Sequence, residues 1–363
     1  MAIGATQQKY ILRDGELLVV PPVGLEVQLY LFIVRADQGQ LQRLCDRELN
    51  IGERRYEPLG DFVVFYAADM VNVVPAGRIG ERDFGVWVPV VGGNLEESGF
   101  TPERLLSYTP YLWVDSSPAL VGGRLVFGFP KHGADLHIPK NTAAAASVKT
   151  WVMPFQGGTA EKADLLRITR TDGQWGEKGG AWANANAVTA VLKEFVAEAG
   201  HRFLESVLAP ETHAAGGLRG VSIPRSGLPM VFLKQTPAAD GSWNAAYQAI
   251  VEADVDIVAG ASGGVLQGNY TVSILECWSH DLVGQLGLSV ERVRSGTRTR
   301  LVAPARLGAR MRFKAVVGKG QAFAPLPAKA SGAPSAIETE RNQAARQTAL
   351  RRAKGAPSIT IAK

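Results

Sequence analysis

The sequence predicts an α+β chain built mainly on an antiparallel sheet or barrel, with helices flanking it. Three observations predict this. Apolar and polar residues alternate in short runs, Gly, Pro, Asp or Asn bound those runs, and few helical patterns stand between them.

Val27, Leu29, Leu31 and Ile33 share one side of a strand expected over 25–35. Segments 62–67, 85–91, 111–115 and 148–153 read the same way. A short helix is expected over 39–49 and a longer one over 185–208, where Val188, Val191, Leu192, Phe195, Ala199 and Phe203 recur at helical spacing. Strands resume over 230–234, 245–258, 271–277 and 309–317. In the second of these, Glu252, Asp254 and Asp256 alternate with Ala253, Val255 and Ile257, so the carboxylates are expected to form a solvated face. The glycine-rich stretch 260–268 lacks the Lys-Ser/Thr ending of a phosphate-binding loop and is expected to be a hairpin connection.

With 363 residues, 46% of them hydrophobic, the chain can bury a large core. One domain is expected over 1–317, with an insertion around 155–220, followed by a basic linker and tail over 318–363. The formal net charge is +5. Most of it resides in Arg341, Arg346, Arg351, Arg352, Lys354 and Lys363, faced only by Glu338 and Glu340, so the body is nearly neutral and offers no argument for a nucleic-acid groove. The tail reads as solvated chain, a subunit clamp or an RNA contact. Cys45 and Cys277 are too few for a disulfide framework or a thiolate zinc site, and both read as buried thiols. Cys277 and His280 are spaced to share a metal, but without a second pair they read as a core thiol near a surface histidine. No secretory or membrane-spanning apolar stretch is evident, and a cytoplasmic location is expected.

One segment carries chemistry. Tyr111 to His132 places Lys131 after the apolar residues Leu125, Val126, Phe127 and Phe129. A lysine in water, with a pKa of about 10.4, is unprotonated in only about one molecule in 2,500 at pH 7. Nucleophilic use of the amine therefore requires a downward shift, and an apolar pocket would supply it by disfavouring the ammonium. The bland alternative is a lysine that ends a strand with its head in solvent.

Ser117-Pro-Ala-Leu-Val-Gly-Gly-Arg124, followed by Pro130-Lys131, resembles the signature of the acetoacetate decarboxylase superfamily, in which an E-P-A-x-x-x-G-R run leads to a Pro-Lys. The resemblance is strong between 110 and 132. It extends weakly to the strand from Leu29 to Asp37, to 83–89, and to 229–258 with 268–288, the last resembling the family's active-site-closing helix. It implies a cone-like antiparallel β-barrel with flanking helices, a homo-oligomer, no metal or organic cofactor, and a Schiff base on Lys131. It also implies a small keto-acid substrate. The family's active-site glutamate corresponds to Asp83, with Glu81 two residues earlier on the same strand face, and these are the candidate acid/base residues. Arg124 either binds a substrate carboxylate or holds the loop that carries Lys131. Trp113 and Phe129 either line the cavity or belong to the core, and His132 stands where the family has a second, pKa-modulating lysine. The family's arginine near the start of the first long strand falls at Val27.

Two reactions share such an imine: decarboxylation of a β-keto acid such as acetoacetate, and a pyruvate-type aldol addition followed by dehydration. Decarboxylation is the expected activity. The rival readings are a non-catalytic barrel that binds a small ligand, with Lys131 as counter-ion, and a structural protein acting through its tail.

Overall fold

Alternation of β-branched and aromatic residues with small or polar ones produces a molecule made mostly of strands. The computed structural model describes residues 14, 17–75, 77–96, 99–139, 145–172, 175, 178–182, 229–240 and 244–323. Its first half comprises β1 (Val23–Arg35), α1 (Gln38–Glu48), β2 (Arg54–Pro58), β3 (Phe62–Val74), β4 (Gly77–Glu96), β5 (Gly99–Val114) and a short helix α2 (Ser117–Gly122) running into a π-turn over Gly123–Phe127. Then follow β6 (Lys131–Gly133), β7 (Asp135–His137), β8 (Ala146–Val152), β9 (Glu161–Arg170) and β10 (Lys178–Trp182). The remaining described elements are β11 (Met230–Pro237), β12 (Ala245–Leu266), β13 (Tyr270–Leu275), α3 (Leu282–Leu286), β14 (Glu291–Ser295) and β15 (Arg298–Phe323).

All described strands join one sheet, in the order β10–β12–β11–β5–β4–β3–β1–β15–β13–β9–β8–β7, with β2, β6 and β14 paired at its sides. Because β12 also pairs with β15, the run from β12 through β5 and β1 to β15 returns on itself. The pairings are antiparallel except β11 with β5 and β5 with β6. This is the mainly antiparallel, helix-poor sheet that the alternation predicts.

β1 explains how the sheet builds two cores. Its residues Val27, Leu29, Leu31 and Ile33 pack on one face with Tyr66, Ala68, Leu112, Val114 and Met311. Tyr30, Phe32 and Val34 point to the other face and meet α1 and α3 through Leu41, Leu44, Cys45, Leu282 and Leu286. α1 starts where Asp37 accepts a hydrogen bond from the Gln40 backbone N–H at 2.7 Å, satisfying one of the free donors of the first turn. Its buried Cys45 thiol is pushed up to about 12 by desolvation and the nearby acids Asp46 and Glu48.

Several expectations require correction. Residues 260–266 continue β12 instead of forming a hairpin connection: after an irregular step at Gly260, where φ is +67°, Ser262 and Gly263 face Arg312 and Met311, and Gly263 also faces Trp182. Glu252 is not on a solvated face. It is 4% exposed and accepts from Arg54 Nε at 3.0 Å, Arg104 Nη1 at 3.3 Å and Tyr56 Oη at 2.8 Å, while Asp254 stays exposed and pairs with Arg104. β15 carries the sheet to Phe323, past the expected start of the linker, and β9, within the expected insertion, is a full member of the sheet between β8 and β13. In the 268–288 region only Leu282–Leu286 is helical, and its leucines pack into the core that contains Phe32, away from the face that carries Lys131. The helix expected over 185–208 and the tail beyond 323 lie outside the described residues. Among the described residues, no helix is long and apolar enough to cross a membrane.

Glu252→Ala strips Arg54, whose side chain is only 12% exposed, of a buried partner. Arg54 keeps its pair with Glu103 at 2.8 Å, so a loss of about 1.5–3 kcal/mol in urea unfolding is expected, the scale of a charge-assisted hydrogen bond. A change near zero would show that the cluster is solvated after all.

Candidate active site

Lys131 is placed by the turn that precedes it. Pro118 occupies the first turn of α2, where its missing N–H costs nothing, and the helix widens into the π-turn that ends at Gly128. Gly128 has φ +90°, a region that side chains avoid, and its N–H donates to the Gly123 carbonyl at 3.0 Å. Lys234 Nζ donates to the Val126 carbonyl at 2.9 Å and braces the same turn. The chain then enters β6, where Lys131 lies in parallel register with Leu112. Gly123 is needed for a different reason: a Cβ there would stand 2.7 Å from Lys131 Cδ and 2.8 Å from Cε, so the lysine stem lies across bare backbone.

Register then determines what the amine meets. Across β1, β3 and β4, Val27, Met70 and Glu81 form one row, and Leu29, Ala68 and Asp83 the next, continuing to Val114 on β5. Leu31, Tyr66, Gly85, Leu112 and Lys131 form the third. All these side chains share one face, so the lysine reaches along an apolar surface toward two carboxyls. Lys131 is 6% exposed, and its ammonium pairs closely with Glu81 Oε1. Glu81 Oε2 accepts from Asn72 Nδ2 at 2.5 Å, and Asn72 is itself buried. Asp83 is buried beside them, and its Oδ1 has no hydrogen-bond partner among the described residues.

The charges sort themselves accordingly. Desolvation pushes Lys131 downward, but the fields of Asp83 and Glu81 and the bond to Glu81 outweigh it and hold the amine above its ordinary value. Desolvation would raise Glu81, yet Lys131, a proton shared with Asp83, and Asn72 hold it below. Asp83 is raised well above the usual carboxylate range, by desolvation first and by Glu81 second. These shifts favour a proton on Lys131 and on Asp83 and a charged carboxylate on Glu81. The expected apolar, proton-poor lysine is replaced by one that stores its proton next to an acceptor. Tyr66 is also raised, by burial and then by Asp83 and Glu81.

The other sequence candidates divide. Phe129 is brought in: its ring centroid is 5.4 Å from Lys131 Nζ, and it packs on Phe232 at 4.0 Å. Arg124 is exposed and donates to the Lys131 carbonyl at 3.3 Å, on the backbone side of the segment. Trp113 is not at the site. It neighbours Leu112 in β5, so it points to the opposite face, within the core of Tyr30 and Phe32. His132 is in register with Trp113 and shares that opposite face; desolvation, then Arg124, holds it below its ordinary value, and it contributes nothing to the shift of Lys131. Cys277 is half-buried, and the neighbouring His280 shares a hydrogen bond of 2.8 Å with Ser279 Oγ through Nδ1. Burial and then His132 push His280 down to about 4. Among the described residues no cluster of His, Cys, Asp or Glu is arranged to hold a metal. Sequence reasoning missed Asn72 and Gly123. An amide at an inward position of the apolar run Phe62–Val74 was the available signal for the first.

The pairing of a buried lysine on β6 with acids on β4 now meets an independent finding. Residues 15–164 match the acetoacetate decarboxylase (ADC) family. That segment is acetoacetate decarboxylase-like. It contains every candidate site residue. Among solved structures, an acetoacetate decarboxylase from Legionella pneumophila is similar at 15% identity, covering 89% of this chain and 94% of that one, with a TM-score of 0.50. An acetoacetate decarboxylase-like enzyme from Sphingomonas wittichii RW1 follows at 13% identity, 88% and 99% coverage and TM-score 0.48. The enduracididine biosynthesis enzyme MppR, in complex with pyruvate, is similar at 12% identity, 86% and 95% coverage and TM-score 0.49. At 15% identity the likeness to the Legionella structure is one of fold. No curated protein sequence matches the chain.

Gly123→Ala forces a methyl group onto the lysine stem, and a loss of about 1–3 kcal/mol is expected in urea unfolding. The loss should shrink in a Lys131→Ala background, since the cycle isolates their contact; equal losses in both backgrounds would place the cost elsewhere. Asp83 supplies a pH test. Its folded value is raised and its unfolded value is ordinary, so the folded state retains a proton that the unfolded state releases, and stability falls as pH rises above the ordinary carboxylate value. Asp83→Asn abolishes that release. The variant should gain on the parent between pH 5 and pH 8, by up to about 1.4 kcal/mol per pH unit while the parent keeps its proton, as read from denaturant unfolding at both pH values.

Proposed function

We propose that this chain is a carbon–carbon lyase that works through an imine between Lys131 and a small carbonyl compound, with decarboxylation of a β-keto acid as its reaction. The ring of strands is read as the cone-like barrel that the family resemblance implies. One observation carries the proposal: a buried amine in hydrogen-bond contact with a carboxylate, Glu81, that can take its proton.

In the resting site the amine is protonated and inert. Transfer of one proton from Lys131 to Glu81 frees the lone pair, which attacks the substrate carbonyl carbon. Glu81 returns the proton to the carbinolamine oxygen, water leaves, and a cationic imine remains opposite the Glu81 carboxylate. The imine then accepts the electron pair of the bond to the departing carboxylate, releasing carbon dioxide and leaving an enamine. Asp83, the neutral acid, protonates the enamine carbon and is recharged from solvent. Water hydrolyses the resulting imine and restores Lys131.

Two features favour loss of carbon dioxide over a pyruvate-type aldol reaction. Among the described residues, no second lysine or arginine touches Lys131, Glu81 or Asp83. The position at which the family resemblance puts an arginine is Val27, buried in the row of Met70 and Glu81. A substrate carboxylate near two buried acids is poorly solvated and is relieved by leaving as a neutral molecule, whereas pyruvate keeps its carboxylate throughout. Phe129 covers the amine, and Arg124 steadies the segment that carries it.

Sodium borohydride added with acetoacetate is expected to leave a reduced adduct that peptide mass spectrometry maps to Lys131. Lys131→Ala should form none, and Glu81→Gln should form it about a hundredfold more slowly, the usual scale for removing a general base. Ligand binding with no adduct from any keto acid or ketone would favour a non-catalytic binding protein instead.

A further inference from the structure

Tyr66 stands in the same row as Lys131, with only Gly85 and Leu112 between them on β4 and β5. It is buried, and its phenol lies across Gly85: a Cβ there would stand 2.7 Å from Cε1, Cζ and Oη alike. The ring therefore leans from β3 over bare backbone of β4, toward the strands that carry the lysine. Trp87 packs against it with ring centroids 4.4 Å apart and holds it in place. Glu81 and Asp83, on the same face of β4 as Gly85, act on the phenol as they act on Lys131. Among the described residues, the side-chain hydrogen bond on the phenol oxygen comes from Trp87, whose indole N–H can only donate. The phenol proton is thus spent on neither acid, and burial keeps it on its oxygen.

We infer that Tyr66 is a further catalytic residue, whose hydroxyl donates a hydrogen bond to the carbonyl oxygen of the substrate while Lys131 Nζ attacks the carbonyl carbon. As the lone pair of nitrogen forms the C–N bond, one electron pair of the C=O bond moves onto oxygen, and a donor already aimed there stabilises the charge as it develops. Tyr66 keeps its own proton; the proton that completes the carbinolamine comes from Glu81. A carbonyl oxygen is present in β-keto acids and simple ketones alike, so this contribution is independent of the substrate carboxylate. The inference rests on imine formation at Lys131 and adds a partner to it.

Tyr66→Phe removes one oxygen and keeps the ring on Trp87. On the purified full-length chain, the rate of borohydride-trapped adduct formation at Lys131 is expected to fall about a hundredfold in this variant, the usual scale for one donor to a developing oxyanion, with acetoacetate and with acetone alike. Methylation of Lys131 by methyl iodide, which has no carbonyl oxygen, should proceed at the parental rate. Adduct formation at the parental rate in Tyr66→Phe overturns the inference and leaves the imine intact. So does a loss confined to acetoacetate, which would tie the hydroxyl to the carboxylate, or an equal loss in methylation, which would tie it to the amine. No adduct in the parent from either compound removes the imine, and this inference with it.

Discussion

An ammonium held beneath an apolar sheet face is the constraint from which the rest of the site follows. Ionised groups resist leaving water, and Lys131 is accommodated only because Glu81 is already there to receive it and Asn72 is there to hold Glu81. Asp83, buried beside Glu81, is pushed well above the usual carboxylate range by desolvation and then by that neighbour. Three titratable groups on two strands thus behave as one unit with a fixed number of protons. The apolar rows from β1, β3 and β5 keep water from dissolving the arrangement.

How that unit is assembled is a matter of strand register. Glu81 and Asp83 share a face because they are two apart on β4, and β6 adds Lys131 to the same face because it runs parallel to β5 with Lys131 beside Leu112. A slip of one residue in β6 would turn Lys131 toward Trp113 and bring His132 inward. The turn before β6 prevents this, with Gly123 under the lysine stem, Gly128 at its left-handed exit and Lys234 on the Val126 carbonyl.

Much of this could be read from the residues. Alternation placed the main strands, and the two-residue spacing of Glu81 and Asp83 was enough to put both on one side. The Pro-Lys motif singled out Lys131. What could not be read were properties of partners distant in the chain. Whether desolvation or a carboxylate controls Lys131 depends on β4 lying two strands from β6, and nothing near residue 131 encodes it. Glu252 looked solvated because its strand neighbours alternate, while the arginines that bury it, Arg54 and Arg104, come from β2 and β5. The glycines of 260–266 looked like a turn because glycine punctuates loops, yet strands on both sides hold Gly263 and Gly264, and Gly260 serves as an irregular step within β12. Trp113 failed for a simpler reason: in a strand, the neighbour of an inward residue faces out.

β15 gives the architecture a temporal order. This single strand pairs with β1, β12, β13 and β14, and it supplies Met311 to the apolar face around Val27 and Leu29. A ribosome delivers the lysine and both acids long before it delivers that strand. During the interval the nascent chain has an open edge on β1 and an unroofed set of charges. Contacts of such long sequence separation close slowly, so the low-dielectric setting of the amine is among the last properties the polypeptide acquires as it matures.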